Sequence, residues 1–155
     1  ATQNATARMN LVAASFLSNR ALDGMRGRAF GIISSLGHVV DTLYENVTHG
    51  DSYSLTTAWG MRFNLEQATA GLARLAQALG VAEKQEPLAA ARRAADFVED
   101  FYRRHGMPVR LREANIPRED IGRIAHDAMS DFYLHQNARK VKDASELVEL
   151  LEQMW

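Results

Sequence analysis

The chain has 155 residues, 46% of them apolar and 24% charged, and its 18 basic and 19 acidic side chains leave a formal charge of −1. That balance gives no general attraction to nucleic acid or to an anionic membrane surface, and the absence of cysteine removes disulfides, thiolate metal sites and thiol catalysis together. No apolar run reaches the ~18 residues of a membrane span and no signal-peptide pattern is present, so the expectation is one cytoplasmic domain that buries roughly 68–70% of its unfolded surface.

Residues 1–22 read as a first core helix, with Asn4 or Thr6 as cap and Ala7, Leu11, Ala14, Leu17 and Ser18 at helical spacing. Asp23 to Arg28 holds two glycines and breaks the pattern. Its Arg26 and Arg28 are candidate phosphate contacts, although a loop arginine is more often simply solvated. From Phe30 to Tyr44 two apolar rows run side by side, Ile32, Leu36, Val39 and Leu43 on one, Phe30, Ile33, Val40 and Tyr44 on the other. A helix so apolar around its circumference is buried. What remains is a narrow polar stripe of Ser34, Ser35, His38, Asp41 and Thr42, whose members lie three or four residues apart and face the same way. Such a stripe should meet water or a pocket.

A turn at residues 45–48 follows, and His49 then stands at the entrance of the next helix, with Thr48 or Asp51 as cap. The pattern predicts that helix from Asp51 to Ala70, with Trp59 and Met61 to Phe63 as packing groups, and a further turn or two over residues 72–79 before Gly80. A polar linker at 81–86 leads to Pro87, which opens a helix with the core stripe Leu88, Ala91, Ala95, Val98 and Tyr102. Its charges, including the Glu99/Arg103 and Asp100/Arg104 pairs, read as a solvated face worth about 0.2–0.5 kcal/mol per pair. After the stop at His105-Gly106 and a short turn at 111–114, a helix opened by Pro117, Glu119 and Asp120 carries Ile121, Ile124, Ala125, Ala128 and Phe132. His126 falls off its apolar row and His135 lies in a loop with Asn137 and Arg139. Asp143 and Glu146 form a capping pair for a last helix that buries Leu147, Leu150, Leu151 and Met154. No strand signal appears, and the expected fold is an all-α helical bundle, a single helical domain over residues 1–155.

His38 and His49 are eleven residues apart with a turn between them, unlike the one-turn spacing of HExxH that points two rings at one ion. On the residues alone, a structural histidine and a loop histidine is the larger share of the expectation, and a shared metal site the smaller.

Gly31 to His38 (GIISSLGH), Leu43-Tyr44, His49-Gly50-Asp51 and Met61-Arg62-Phe63-Asn64 resemble the iron-containing (group III) alcohol dehydrogenases. That family's pattern there is G-L-x-H-x-x-x-H, an aromatic-containing turn, P-H-G-E/x-A-N-A and V-M-R/x-F/Y-N. Residues 111–117 (LREANIP), 128–131 (AMSD), 137–141 (NARKV) and the closing leucine-rich helix continue the likeness to the end of the chain. Related families, the dehydroquinate synthases and glycerol-1-phosphate dehydrogenases, share the helical domain. The interval from His38 to His49 and the NARKV segment favour the alcohol dehydrogenase branch.

The resemblance implies the C-terminal half of a two-domain NAD(P)-dependent oxidoreductase acting on a small alcohol or aldehyde, inactive as this chain alone. The N-terminal nucleotide-binding domain that grips NAD(P) is absent here. It implies a divalent metal, iron or zinc, held by an upstream aspartate and histidine, by the first His of H-x-x-x-H and by the His of P-H-G. His49 matches the last of these and is the expected metal ligand, with Asp51 as its orienting partner. Ser34 stands at the first-His position, and serine is a poor neutral ligand beside imidazole. His38 matches the second His, which lies beside substrate and cofactor, and is the expected catalytic, proton-handling group. A shifted register would make His38 the ligand at the cost of a shortened connection to His49. Two alternatives stay open: a degenerate, metal-free member, or a non-catalytic helical interaction module. No nucleic-acid or membrane partner is implied, and a homo-oligomer is compatible.

Overall fold

The computed structural model describes residues 4–24, 31–82 and 86–155. Among these, every regular element is helical, as the periodicity predicts: α1 (Ala5–Gly24), α2 (Ile32–Leu43), α3 (His49–Phe63), α4 (Leu65–Ala78), α5 (Pro87–Arg104), α6 (Ile121–Met129) and α7 (Ala144–Met154), with short 3-10 turns at Leu111–Ala114, Arg118–Asp120 and Phe132–Gln136. Phe30, the candidate phosphate contacts Arg26 and Arg28, and linker residues 83–85 lie outside the described residues.

The bundle is built around α2, which packs against α3 on one side and against α6 and the 132–136 turn on the other. Its apolar rows explain this, because Ile32, Leu36 and Val40 are all but wholly buried and lead a core shared with Leu55, Leu111, Ile124, Leu147, Leu151 and Met154. One glycine, Gly60, lets α2 and α3 approach as closely as they do. A Cβ on Gly60 would stand 2.3 Å from Ile33 Cγ1, and one on Gly37 would lie in ordinary contact with Ser52. Ser35 ties the other side, its hydroxyl donating to the Ala128 carbonyl at 3.1 Å. A second, alanine-rich core joins the α4–α5 hairpin to α3 through Met61, Ala73, Ala76, Ala90, Ala94 and Ala95.

Four expectations are corrected. The helix expected over residues 51–70 breaks at Asn64, which ends α3 and begins α4 with φ −95° and ψ 7°. The buried face of α5 is Ala90, Ala91, Ala94, Ala95 and Glu99, while Leu88 is 39% exposed, so the stripe is rotated from the one the sequence suggests. α6 ends at Met129, and Phe132 beyond it is 70% exposed instead of packed. α1 has no buried residue, although its pattern reads as core.

Candidate functional site

The polar stripe of α2 is divided between two neighbours: Ser34 and Asp41 meet the first two turns of α3, and Ser35 and His38 meet Ala128 and Asp131 at the end of α6. Thr48 caps α3 through a reciprocal box: its hydroxyl accepts from the Asp51 amide at 3.2 Å, and the Asp51 carboxylate accepts from the Thr48 amide at 3.2 Å and from its hydroxyl at 2.6 Å. His49 is therefore fixed at the first helical position, and Asp51 is committed to the cap. The carboxylate that meets His49 is Asp41, whose Oδ2 lies 2.6 Å from Nδ1. On its other side the imidazole meets the Tyr53 ring edge-on, with centroids 4.9 Å apart.

His38 sits one turn before Asp41 on the same face. Its Nδ1 is 3.3 Å from Asp131 Oδ2, and its ring lies 5.1 Å from that of Tyr133. Asp131 is itself held, because its other oxygen accepts from the Tyr133 amide at 2.7 Å. Both imidazoles are thus oriented by a carboxylate on Nδ1 with Nε2 turned away from any hydrogen-bond partner among the described residues. This is the arrangement by which proteins fix the tautomer and direction of a working histidine. His38 opens onto a hollow of about 250 Å³ shared with Val39, Thr42, Leu43 and Asp127.

Ser34, the stripe's other end, is buried at 6% exposure. The Tyr53 hydroxyl points at its oxygen from 3.5 Å. Below them two asparagines lock the site to the rest of the bundle. Asn137, buried, accepts from the Ile32 amide at 3.1 Å through Oδ1 and exchanges amide bonds with Asn64 at 2.9 and 3.0 Å. Asn64 Oδ1 also accepts from the Arg139 amide at 3.0 Å.

Of the four ligands that the resemblance implies for a metal, an aspartate and a histidine lie upstream of these residues, and the positions of the other two are held by Ser34 and His49. His49 offers one nitrogen, the near oxygen of Asp41 is spent on His49, and the hydroxyl of Ser34 faces a phenol. Among the described residues no three His, Asp or Glu side chains come close enough together to hold an ion. His126 and His135 are exposed.

Sequence reasoning singled out both histidines and Ser34, and the structure brings His49 and Tyr53 together with Ser34 along one seam. It missed the partners. Asp41 was visible one turn from His38 and Asp131 inside the AMSD motif, but neither was paired with a ring. Tyr53, four residues from His49 and so on its face, was readable by helical spacing alone.

Comparison with known proteins gives one family throughout. The profile described as "Fe-containing alcohol dehydrogenase family, C-terminal" matches residues 1–155. Lactaldehyde reductase of Escherichia coli K12 is 27% identical over 85% of this chain and 34% of its own length. The NAD-dependent methanol dehydrogenase of Bacillus methanolicus is 29% identical over 81% of this chain and 35% of its own length. A crystal structure of a 1,3-propanediol oxidoreductase superposes with a TM-score of 0.72 at 23% identity, over 81% of this chain and 32% of that one, which shows a common fold. The chain spans about a third of the length of the relatives it matches.

Proposed function

The chain belongs to the Fe-containing alcohol dehydrogenase family as its C-terminal region, and from that premise we propose that it is the substrate-facing helical domain of an NAD(P)-dependent oxidoreductase interconverting small alcohols and aldehydes. The nicotinamide cofactor is bound by the nucleotide-binding half, which supplies the hydride. This domain supplies the surface against which the reacting oxygen is held and its proton exchanged. The α2 stripe and the first turns of α3 form that surface.

The observation that carries the reading is the pair of carboxylate-held imidazoles, His38 on Asp131 and His49 on Asp41, with both Nε2 atoms open. A structural histidine in a core satisfies both nitrogens or buries its ring, whereas the His38 and His49 side chains are 35% and 70% exposed. We assign His38 the proton-handling role, with Asp131 holding its tautomer.

The test is steady-state kinetics of the full-length protein with NADH or NADPH and a series of short aldehydes. His38→Ala should lower kcat about 10²–10⁴-fold, the usual range for a general acid or base. Asp131→Asn should lower it less, through loss of ring orientation. The 155-residue chain by itself should be inactive. Turnover by that chain alone, or none by the full-length protein on any short aldehyde or alcohol, overturns the reading.

A further inference from the structure

We propose that the reacting oxygen of the substrate is clasped between the hydroxyls of Tyr53 and Ser34, with Tyr53 its proton donor, and that this pair stands in for a metal ion in this protein. The inference rests on the oxidoreductase reading above.

Spacing is the first argument. Two hydroxyls bonded to each other sit about 2.7–2.8 Å apart. At 3.5 Å neither Tyr53 nor Ser34 is well satisfied by the other, yet a third oxygen set beside both takes a bond of ordinary length from each. The second argument is room. Ser34 and Tyr53 both line a cavity of about 460 Å³, and the wall they share includes Asn64, Gln136 and Asn137. The Gln136 side-chain oxygen is buried behind that wall without a hydrogen-bond partner among the described residues. The third argument is rigidity. Ser34 is buried on α2, and the Tyr53 ring is braced by His49, which Asp41 holds. Donors fixed in advance stabilise a developing oxyanion without reorganising. Thr57, the other hydroxyl in the wall, donates to the Tyr53 carbonyl at 2.6 Å and does not compete.

In the reducing direction the nicotinamide cofactor held by the other half would supply the hydride to the carbonyl carbon, itself being oxidised. The carbon–oxygen π pair moves onto oxygen, which takes the proton from Tyr53 Oη while Ser34 donates a hydrogen bond to it. The tyrosinate regains its proton from solvent by way of His38, the proton-handling group of the reading above. Oxidation of the alcohol runs the same steps in reverse.

The experiment is elemental analysis and kinetics on the full-length protein, wild type beside Tyr53→Phe and Ser34→Ala. The wild type should carry well under one equivalent of iron or zinc and keep its kcat after exhaustive chelation. Tyr53→Phe, which keeps the ring against His49, should lower kcat about 10²–10³-fold with KM for the nucleotide and the thermal midpoint unchanged, and the wild type should show a solvent deuterium isotope effect on kcat. Ser34→Ala should lower kcat by less. Activity abolished by chelation and restored by iron or zinc, or Tyr53→Phe with wild-type kcat, overturns the clasp and leaves the oxidoreductase reading standing. Absence of any NAD(P)-dependent turnover overturns that reading and the clasp with it.

Discussion

Asn137 shows how one side chain sets the position of the site. Its Oδ1 satisfies the first amide of α2 and its Nδ2 donates to both Asn64 and the Arg139 carbonyl, so α2, the α3/α4 break and the last loop meet at one amide group. Gly31 makes this possible, since a Cβ there would stand 2.6 Å from Asn137 Oδ1 and 3.2 Å from its Cα. The second contact is backbone and cannot swing aside. Asn137→Ala should therefore cost on the order of 2–3 kcal/mol, from buried groups left unpaired, and lower the thermal midpoint by roughly 2–4 °C per kcal/mol. Gly31→Ala should act in the same direction by pushing the loop off α2. A midpoint unchanged in both variants, read by circular dichroism, would mean the amide junction does not hold the bundle. None of this was legible in the sequence beyond the letters themselves. The Asn64–Asn137 bond joins residues 73 apart, and helical periodicity reports on neighbours three and four residues away. The same limit hid the Asp131 partner of His38, whereas the histidines stood out because few residue types carry their chemistry.

At the scale of one helix, α5 was legible as a helix but not in its rotation. It carries Ala89, Ala90, Ala91, Ala94 and Ala95, and residues so small give no strong preference for one face. Contact with α4 and α3 decides which alanines are buried, and Glu99 turns inward to Arg62 of α3. Glu99 is 6% exposed and meets Arg62 at 2.5 Å, Arg103 at 2.8 Å and Arg110 at 3.1 Å. Arg62 and Arg110 lie over the Trp59 ring with their guanidinium carbons 5.1 and 4.8 Å from its centroid, so the charges are stacked as well as paired. Burial alone would raise the Glu99 carboxyl; the hydrogen bonds from Arg62 and Arg103 and the charges of Arg62 and Arg110 outweigh it and hold the group below its usual range. A depressed folded-state value means that the stabilisation is present above the unfolded carboxylate range, about 4.3, and is lost as pH falls through the lower folded value. Thermal unfolding followed from neutral pH downward should show an acid-sensitive loss that Glu99→Gln removes. That variant should also be less stable at pH 7, by roughly 1–3 kcal/mol, because three arginines lose a common partner. A variant that loses stability below pH 4 as steeply as the wild type would assign the acid sensitivity to other carboxylates.

The molecule as a whole divides into a bundle that closes on itself and one helix that does not. Residues 31–82 and 86–155 share two cores built on α2, α3 and the α4–α5 hairpin, whereas α1 has no buried residue and leaves Met9, Leu11, Val12, Phe16 and Leu17 more than half exposed. Those side chains occupy more than one face, the pattern of a helix covered on several sides. The sequence therefore read the burial that α1 is made for, and the described residues bury none of its side chains fully. A helix of 20 residues without packing is marginal in water, since most helical stability in proteins comes from the covered face. In the purified 155-residue chain, backbone amides of α1 should exchange with deuterium close to the rate of an unfolded peptide, while those of α2, packed between α3 and α6, should exchange orders of magnitude more slowly. With the nucleotide-binding half joined to it, α1 should gain protection and the bundle should not change. Protection of α1 equal to that of α2 in the chain alone would mean that the helix is already covered, and sedimentation would tell whether a second copy covers it. A monomer with α1 protected would place its partner within the chain itself and remove the reason to expect one from the other half.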